Sequence, residues 1–371
     1  MIATRFMELR RRRGLMIALV LVTIGIPTIY LAVRLLLHAV APNSYGPAGG
    51  YDVYTTLVAG IMYVFGFIVA ATLGCTAGSI DLTEGMFRHL VVTGRSRLAL
   101  YLARIPAGLA IVVSLVAVGF TVVCAVCVFA APTQNDFNGV IVPAGLSRAG
   151  LESWAADHAD EVVCNFGIDI GPSTPDGSAI TAVVNNVPCG SGPGGGPATV
   201  VQQPPGSHGQ PQPSQAQITE AARLIAQVDY AGYTSHFVSP SVSLMIRSGL
   251  WIELEATIGF VVGLGLGSLL GQRTVAVILM IVLELILTPI LSLHEVPHLL
   301  NLQRGVVGLA MAHIEPAGLP LAFGGGPRGG GAPPGASLLL PETRTVAVCV
   351  IVAWLVGWTA IGAWRMMTRD A

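Results

Sequence analysis

Six long apolar stretches alternate with polar or glycine-rich connections along this chain of 371 residues. A helix needs about 20 residues to cross the hydrocarbon core of a bilayer, and each stretch reaches about that length. The pattern therefore predicts an all-α polytopic membrane protein whose six transmembrane helices cover residues 14–37, 54–78, 105–131, 248–270, 274–293 and 345–364.

The segments that flank the spans are short, with two exceptions. Residues 1–13 predict a basic amphipathic helix on the inner membrane surface, ahead of the three spans in 14–131. After the two spans in 248–293, residues 294–344 form an extracytoplasmic loop. Residues 345–371 hold the sixth span and a cytoplasmic tail.

The longest connection, residues 132–247, predicts a small extracytoplasmic domain that is only partly ordered. Its acidic and apolar residues indicate helices at 151–163 and 217–229. Between them, residues 190–215 are dense in Gly, Pro and Gln, which is typical of a disordered linker. The composition favours a small core over a large one.

The distribution of arginine along the chain predicts its orientation in the membrane. All 19 basic residues are arginine, and 12 of them lie in the N-terminal segment, the connection after the second span, the turn after the fourth span and the tail. The other seven are spread over much longer connections. The positive-inside rule therefore places both termini in the cytoplasm. An arginine-only, Ala-, Gly- and Val-rich chain indicates a GC-rich bacterial genome, and hence the bacterial cytoplasmic membrane.

Composition also limits the chemistry. Hydrophobic residues make up 53% of the chain and charged residues 11%, and the net charge of −1 gives no electrostatic basis for binding nucleic acid. A P-loop requires a lysine on the β- and γ-phosphates, so a chain without lysine carries no ordinary ATP-hydrolysing site. We expect no catalytic residue, no bound cofactor and no metal in this chain.

The connection after the second span is the most distinctive polar segment. Asp81 and Glu84 match a capping-box pair, and Gly94 stands where a helix would end. Apolar side chains recur every fourth residue between them, at Leu82, Met86 and Leu90. The pattern predicts a capped amphipathic helix over residues 81–92. It favours a docking element for a cytoplasmic partner, and the alternative is a helix that lies at the lipid interface.

Three acidic residues interrupt the predicted spans, namely Glu253, Glu255 and Glu284. Such groups face the interior of a helix bundle or a wet path because a carboxylate in hydrocarbon is costly. Pairing with a neighbouring polar group and a role in a substrate path both remain open. By contrast, Gly263, Gly265 and Gly267 favour close helix packing over phosphate binding, since they lie inside a span.

Two cysteines, Cys164 and Cys189, lie in the predicted extracytoplasmic domain. Outside the cytoplasm such a pair favours a disulfide bond, and the alternative is two free thiols.

The segment from His294 to His298, with Glu295 between them, matches the H-E-x-x-H pattern of zinc metalloproteases. A zinc site needs one continuous helix, whereas Pro289 and Pro297 bracket this segment, so an outer loop is the competing interpretation.

These features together resemble the membrane permease of an ATP-binding-cassette (ABC) transporter of the type-2 exporter family. The resemblance rests on the basic amphipathic segment 1–13, on Glu84-Gly85, Leu90, Arg97 and Arg104 after the second span, and on the run that begins at Gly263. Met86 replaces the usual Thr, and Gly94 stands near an expected Pro. The domain at 132–247 is not part of the family pattern.

The resemblance implies a permease that pairs with a second permease, as a homo- or heterodimer, and couples to a separate ABC ATPase that holds ATP and Mg. It would move a hydrophobic or amphiphilic substrate, and export is the expected direction. The residues that would couple to the ATPase are Asp81, Leu82, Glu84, Gly85, Met86, Arg88, Leu90, Arg97 and Arg104. Two other classes compete with it: an intramembrane zinc protease, and a non-transporting sensor whose outer domain reads the envelope.

The predicted orientation can be tested with engineered cysteines at positions 150 and 94 and a membrane-impermeant maleimide on intact cells. We expect position 150 to react and position 94 to be protected, because the arginine bias places 132–247 outside and 88–104 inside. The reverse labelling pattern would overturn the orientation.

Overall fold

The computed structural model describes residues 2–41, 45, 47–83, 96–137, 139–165, 213–235, 238–287, 290, 300–317, 319 and 342–368. The chain is mostly helical and forms two compact units. We call Met1–Ala131 with Pro240–Ala371 the membrane unit, and Pro132–Ser239 the intervening unit.

The first half of the membrane unit contains a short helix followed by three long ones. They are α1 (Ile2–Arg11), α2 (Arg13–Val40), α3 (Tyr51–Ile80) and α4 (Arg97–Phe129). The three long helices agree with the first three predicted spans, and the backbone of α3 stays helical as far as Thr83. Ser96 begins α4 by accepting a hydrogen bond from the amide of Ala99, as its position in the sequence predicts.

The intervening unit combines a hairpin with four helices. They are β1 (Gln134–Phe137), β2 (Val140–Pro143), α5 (Arg148–Asp157), α6 (Ala159–Asn165), α7 (Gln215–Val228) and α8 (Tyr230–Ser235). The predicted helix at 151–163 is divided into α5 and α6 at His158, α7 agrees with the predicted helix at 217–229, and α8 was not predicted. A capping box of Ser214 and Gln217 begins α7. The antiparallel hairpin departs from the all-α prediction. Between the two strands the sequence reads Asn-Gly at positions 138–139, a dipeptide typical of two-residue hairpins.

A small apolar core holds the intervening unit together. Ile218, Ala222 and Ile225 occupy one face of α7 and pack with buried side chains of α5 and α6. Tyr233 ties the hairpin to this core, because its hydroxyl donates to the Pro143 carbonyl at 2.8 Å and accepts from the Leu146 amide at 2.9 Å.

The second half of the membrane unit starts with α9 (Val242–Leu270), which begins before the predicted domain boundary at residue 247. It continues with α10 (Arg273–Ile281), the π-helical turn Val282–Leu287, α11 (Leu300–Gln303), α12 (Val307–His313) and α13 (Arg344–Thr368). Within the described residues, five helices are long and apolar enough to cross a membrane: α2, α3, α4, α9 and α13. The fifth predicted span is helical over its described part, and the rest of it lies outside the described residues.

Glycines bring the backbones of α3 and α9 into contact. On α9 they recur every fourth residue. A Cβ added to Gly259 would lie 2.9 Å from the Phe67 carbonyl oxygen. A Cβ added to Gly263 would lie 2.5 Å from the Ala71 carbonyl oxygen, and one added to Gly267 would lie 2.5 Å from that of Cys75. From α3, Gly74 and Gly78 lie against the backbone of α9 in return. The contacts advance in the same direction along both helices, so α3 and α9 are parallel.

Gly265 faces another way and approaches the last helix, where its Cβ would lie 2.7 Å from the Trp358 carbonyl oxygen. The predicted packing role of Gly263, Gly265 and Gly267 is therefore confirmed. With α3 on one side and α13 on another, α9 is the central helix. Of the most apolar stretch of α9, 78% is buried, against 22% of the corresponding stretches of α2 and α13.

Replacing Gly263 with alanine tests this contact. The Gly263→Ala variant should lose about 1–3 kcal/mol of unfolding free energy because α3 and α9 must separate to admit the methyl group. The midpoint of unfolding in detergent measures the change. The matched control is Gly357→Ala on α13, where an added Cβ meets nothing within 4 Å, and it should be neutral. Equal losses in the two variants would contradict the packing account.

Candidate functional site

The predicted coupling segment lies mostly outside the described residues. This applies to Glu84, Gly85, Met86, Arg88 and Leu90, whose roles therefore stay predictions. The predicted helix start at Asp81 is wrong. Asp81 and Leu82 lie in a helix that runs without a break from Tyr63 to Thr83. No proline or glycine interrupts residues 79–83, so the helix of the second span simply continues through them.

The two remaining predicted coupling residues are described, and both bind carbonyl groups of this chain. Arg104 is buried, and its Nη1 donates to the Gly78 carbonyl oxygen at 3.3 Å, near the end of α3. Nη1 of Arg97 donates to the Met367 carbonyl oxygen at 3.1 Å, in the last turn of α13. A cationic donor at a carbonyl in the last turn stabilises a helix end, as Arg97 does for α13. Arg97 therefore ties the start of α4 to the end of α13, and Arg104 ties it to α3 at Gly78.

Charged side chains of α1 also lie against the membrane helices. Arg5 and Glu8 form an ion pair at 2.7 Å, and both line a small cavity together with Arg104 of α4. Leu9 is buried beside them. The sequence predicted an amphipathic helix on the inner surface; α1 is amphipathic, and part of its polar face is enclosed by protein.

The two carboxylates of α9 point in nearly opposite directions. Successive helical residues turn by about 100°, so Glu253 and Glu255 lie about 200° apart around the axis. Glu255 is 1% exposed and shares a buried face with Ser248 and Trp251. Glu253 is half-buried and lies on the face of Leu250. The structure therefore does not bring them together, and the side chain of Glu284 lies outside the described part of the chain.

A segment that the sequence predicted to be an outer loop packs into the core of the membrane unit. Residues Val307 to Ala312 of α12 are all buried. Two tryptophans hold the segment through indole N–H groups that donate to backbone carbonyl oxygens. Trp251 of α9 donates to Met311 at 3.0 Å, and Trp354 of α13 donates to Gly305 at 2.8 Å.

These hydrogen bonds place the segment well below the ends of the long helices. Trp354 lies ten residues into α13, about 15 Å along a helix that rises 1.5 Å per residue. If α13 crosses a bilayer from Arg344, Trp354 lies about half-way through the ~30 Å hydrocarbon core. Irregular backbone is tolerated at such depth where protein surrounds it and satisfies its polar groups. In a bilayer this geometry would be that of a re-entrant segment, the name we use for the described residues 300–317 and 319.

The C-terminal part of the re-entrant segment lies near the residues that precede α13. Nδ1 of His313 lies 2.8 Å from the Leu309 carbonyl oxygen and 3.8 Å from Oε2 of Glu342. A carbonyl oxygen only accepts, so Nδ1 carries a proton and donates to it. The contact with Glu342 becomes an ion pair when the ring is protonated.

The sequence carried only a weak signal for the re-entrant segment. Residues 305–312 are uninterruptedly apolar or glycine, but this run is far shorter than a span. Its burial depends on Trp251 and Trp354, which are distant in the sequence.

The other predicted sites have different outcomes. Cys164 is disulfide-bonded, whereas Cys189 lies outside the described residues, so its identity as the partner stays a prediction. His294, Glu295 and His298 also lie outside them. Among the residues that the structure does describe, no group of three or more His, Cys, Asp or Glu side chains could hold a metal ion.

The role of the indole donors can be tested with Trp354→Phe, which keeps most of the apolar ring and removes the N–H group. The variant should lose about 1 kcal/mol of unfolding free energy because the Gly305 carbonyl is left without that donor. The loss is measured by thermal unfolding of the detergent-solubilised protein, with the exposure of buried thiols as the signal. Trp364→Phe on the same helix is the control, since Trp364 is exposed. A loss no larger than that of the control would contradict the anchoring role.

Comparison with known proteins identifies no relative: no protein family, curated protein or solved structure matches this chain. The features that bear on function are therefore the long apolar helices, the carboxylates of α9 and the arginines at the start of α4.

Proposed function

We propose that this chain is the transmembrane permease subunit of an ABC transporter of the type-2 exporter class. It moves a hydrophobic or amphiphilic substrate across the bacterial cytoplasmic membrane, and a separate subunit hydrolyses the ATP. The observation that carries the proposal is the pair of carboxylates on α9, the central helix of the membrane unit. Carboxylates inside a membrane are costly and mark substrate or ion paths.

The arginine contacts support a coupling role for the connection between α3 and α4. Arg104 holds the start of α4 to α3 at Gly78, and Arg97 holds it to the end of α13. A force applied to residues 84–95 is therefore delivered to three long helices at once. In the proposed cycle, ATP binding draws the partner ATPases together, this connection moves with them, and the membrane helices reorient.

The partners follow from the same proposal. Both termini face the cytoplasm, where the ATPase subunit binds residues 81–92 together with Arg97 and Arg104 at their base. A second permease, identical or related, completes the transporter. ATP and Mg belong to the ATPase, and this chain contributes no catalytic residue.

The intervening unit favours one other function, that of a non-transporting sensor. It has its own apolar core and a disulfide-bonded cysteine, as a compact ligand-binding domain would. Such a sensor would need neither an ATPase nor the carboxylates of α9.

Purification of the tagged chain from its native membranes in mild detergent tests the proposal. We expect a P-loop ATPase in stoichiometric amount, and ATP hydrolysis by the purified complex. A complex without an ATPase would overturn the proposal and favour the sensor. Stoichiometric zinc would instead favour the intramembrane protease.

The coupling segment gives a sharper prediction. Glu84→Arg and Leu90→Arg should each uncouple ATP hydrolysis from transport, because they place a cation on the surface proposed to bind the ATPase. Substrate-stimulated ATPase activity in proteoliposomes measures the coupling, and membrane insertion should be normal.

The matched control for these variants is Asp157→Arg, an exposed position in the intervening unit. It introduces the same side chain away from the coupling segment and should keep full stimulation. Full stimulation in Glu84→Arg and Leu90→Arg as well would remove residues 81–92 from the coupling role.

A further inference from the structure

One face of α9 changes from open to closed along its length. Side chains on this face follow helical spacing, and the first three are widely exposed: Val242 at 67%, Ile246 at 59% and Leu250 at 68%. Glu253 and Thr257 come next and are half-buried. Phe260 and Leu264 follow and are fully buried. We call residues 242–257 of this face the α9 strip.

Glycine contacts close the lower end of the strip. The ring of Phe260 lies directly against Gly108 of α4, and the Phe260 carbonyl lies against Gly74 of α3. Below Glu253 and Thr257, this face of α9 is therefore packed against α3 and α4. The strip is therefore an apolar surface that ends at a carboxylate and a hydroxyl.

Glu253 is not compensated within the described part of the chain. It has no ion-pair partner there, and its Oε2 is enclosed without accepting a hydrogen bond. The Thr257 hydroxyl does not supply one, because it donates to the Glu253 backbone carbonyl at 2.8 Å. A carboxylate that faces apolar side chains in a membrane is costly unless a cation pairs with it.

We infer that the α9 strip binds a cationic amphiphile, whose apolar part lies along Ile246 and Leu250 and whose charge meets Glu253. Charge complementarity selects this occupant over plain lipid, which would leave the carboxylate in hydrocarbon. Glu255 plays no part, since it lies on the opposite face and is enclosed by the bundle. This inference rests on the proposed function, because it specifies that the transported substrate carries a positive charge.

The test uses labelled tetraphenylphosphonium and the full chain in nanodiscs of zwitterionic lipid, with no ATPase present. We expect saturable binding to the wild-type chain and at least about tenfold weaker binding to Glu253→Gln, because truncation of one partner of an enclosed charge pair removes most of its affinity. Glu253→Asp should retain binding. Tetraphenylborate, an anion of the same shape, should not compete.

Two further variants keep the result interpretable. Glu161→Gln makes the same chemical change at an exposed position in the intervening unit and should bind like the wild type. Leu250→Arg places a guanidinium one helical turn from Glu253, at a position exposed enough to accept it, and should also abolish binding. It serves as the test if Glu253→Gln does not fold.

Four outcomes would overturn the inference. They are equal binding to the wild type and Glu253→Gln, uptake no greater than that of empty nanodiscs, equal competition by tetraphenylborate, and photo-crosslinking from position 250 to a second copy that the cation does not reduce. Because the assay contains only this chain, its failure is separate from that of the permease proposal, which depends on the presence of an ATPase.

Discussion

The backbone contact between α3 and α9 is the interaction on which the rest of the membrane unit depends. Lipid tails are as apolar as leucine, so burial from water does not drive helices together inside a bilayer, and close packing must do so. Gly259, Gly263 and Gly267 let α9 approach α3 to backbone contact. This contact fixes the rotation of α9 about its axis. The rotation in turn encloses Glu255 in the bundle and leaves Glu253 on the α9 strip.

Side-chain hydrogen bonds to backbone carbonyl oxygens also hold the membrane unit together. Four carbonyl oxygens accept from arginine or tryptophan side chains of other segments: those of Gly78, Met367, Gly305 and Met311. A carbonyl without a donor in hydrocarbon costs several kcal/mol because no water can reach it, so these side-chain donors stabilise the segments whose carbonyls they bind. The re-entrant segment shows this most clearly, since both its turn and its helix end are held by indole groups.

The sequence was most informative where the signal is local. Length and apolarity predicted five helices that the structure contains, and glycine spacing predicted close packing of α9. It failed where the outcome depends on distant residues. The run 305–312 is too short to be recognised as a membrane segment, and Trp251 and Trp354 decide its burial. Helical geometry alone separates Glu253 from Glu255, but which of them faces inward depends on the packing of α9.

The same packing suggests how the α9 strip would respond to the ATPase in the proposed transporter. The end of α3 leads directly into residues 84–95, and α3 is joined to α9 by backbone contacts that no side-chain rearrangement can absorb. A displacement of the connection therefore moves α3 and α9 as one body, and Glu253 moves with them. Phe260 closes the strip against Gly108 of α4, so a shift of this pair relative to α4 is the motion that would open the closed end below the carboxylate.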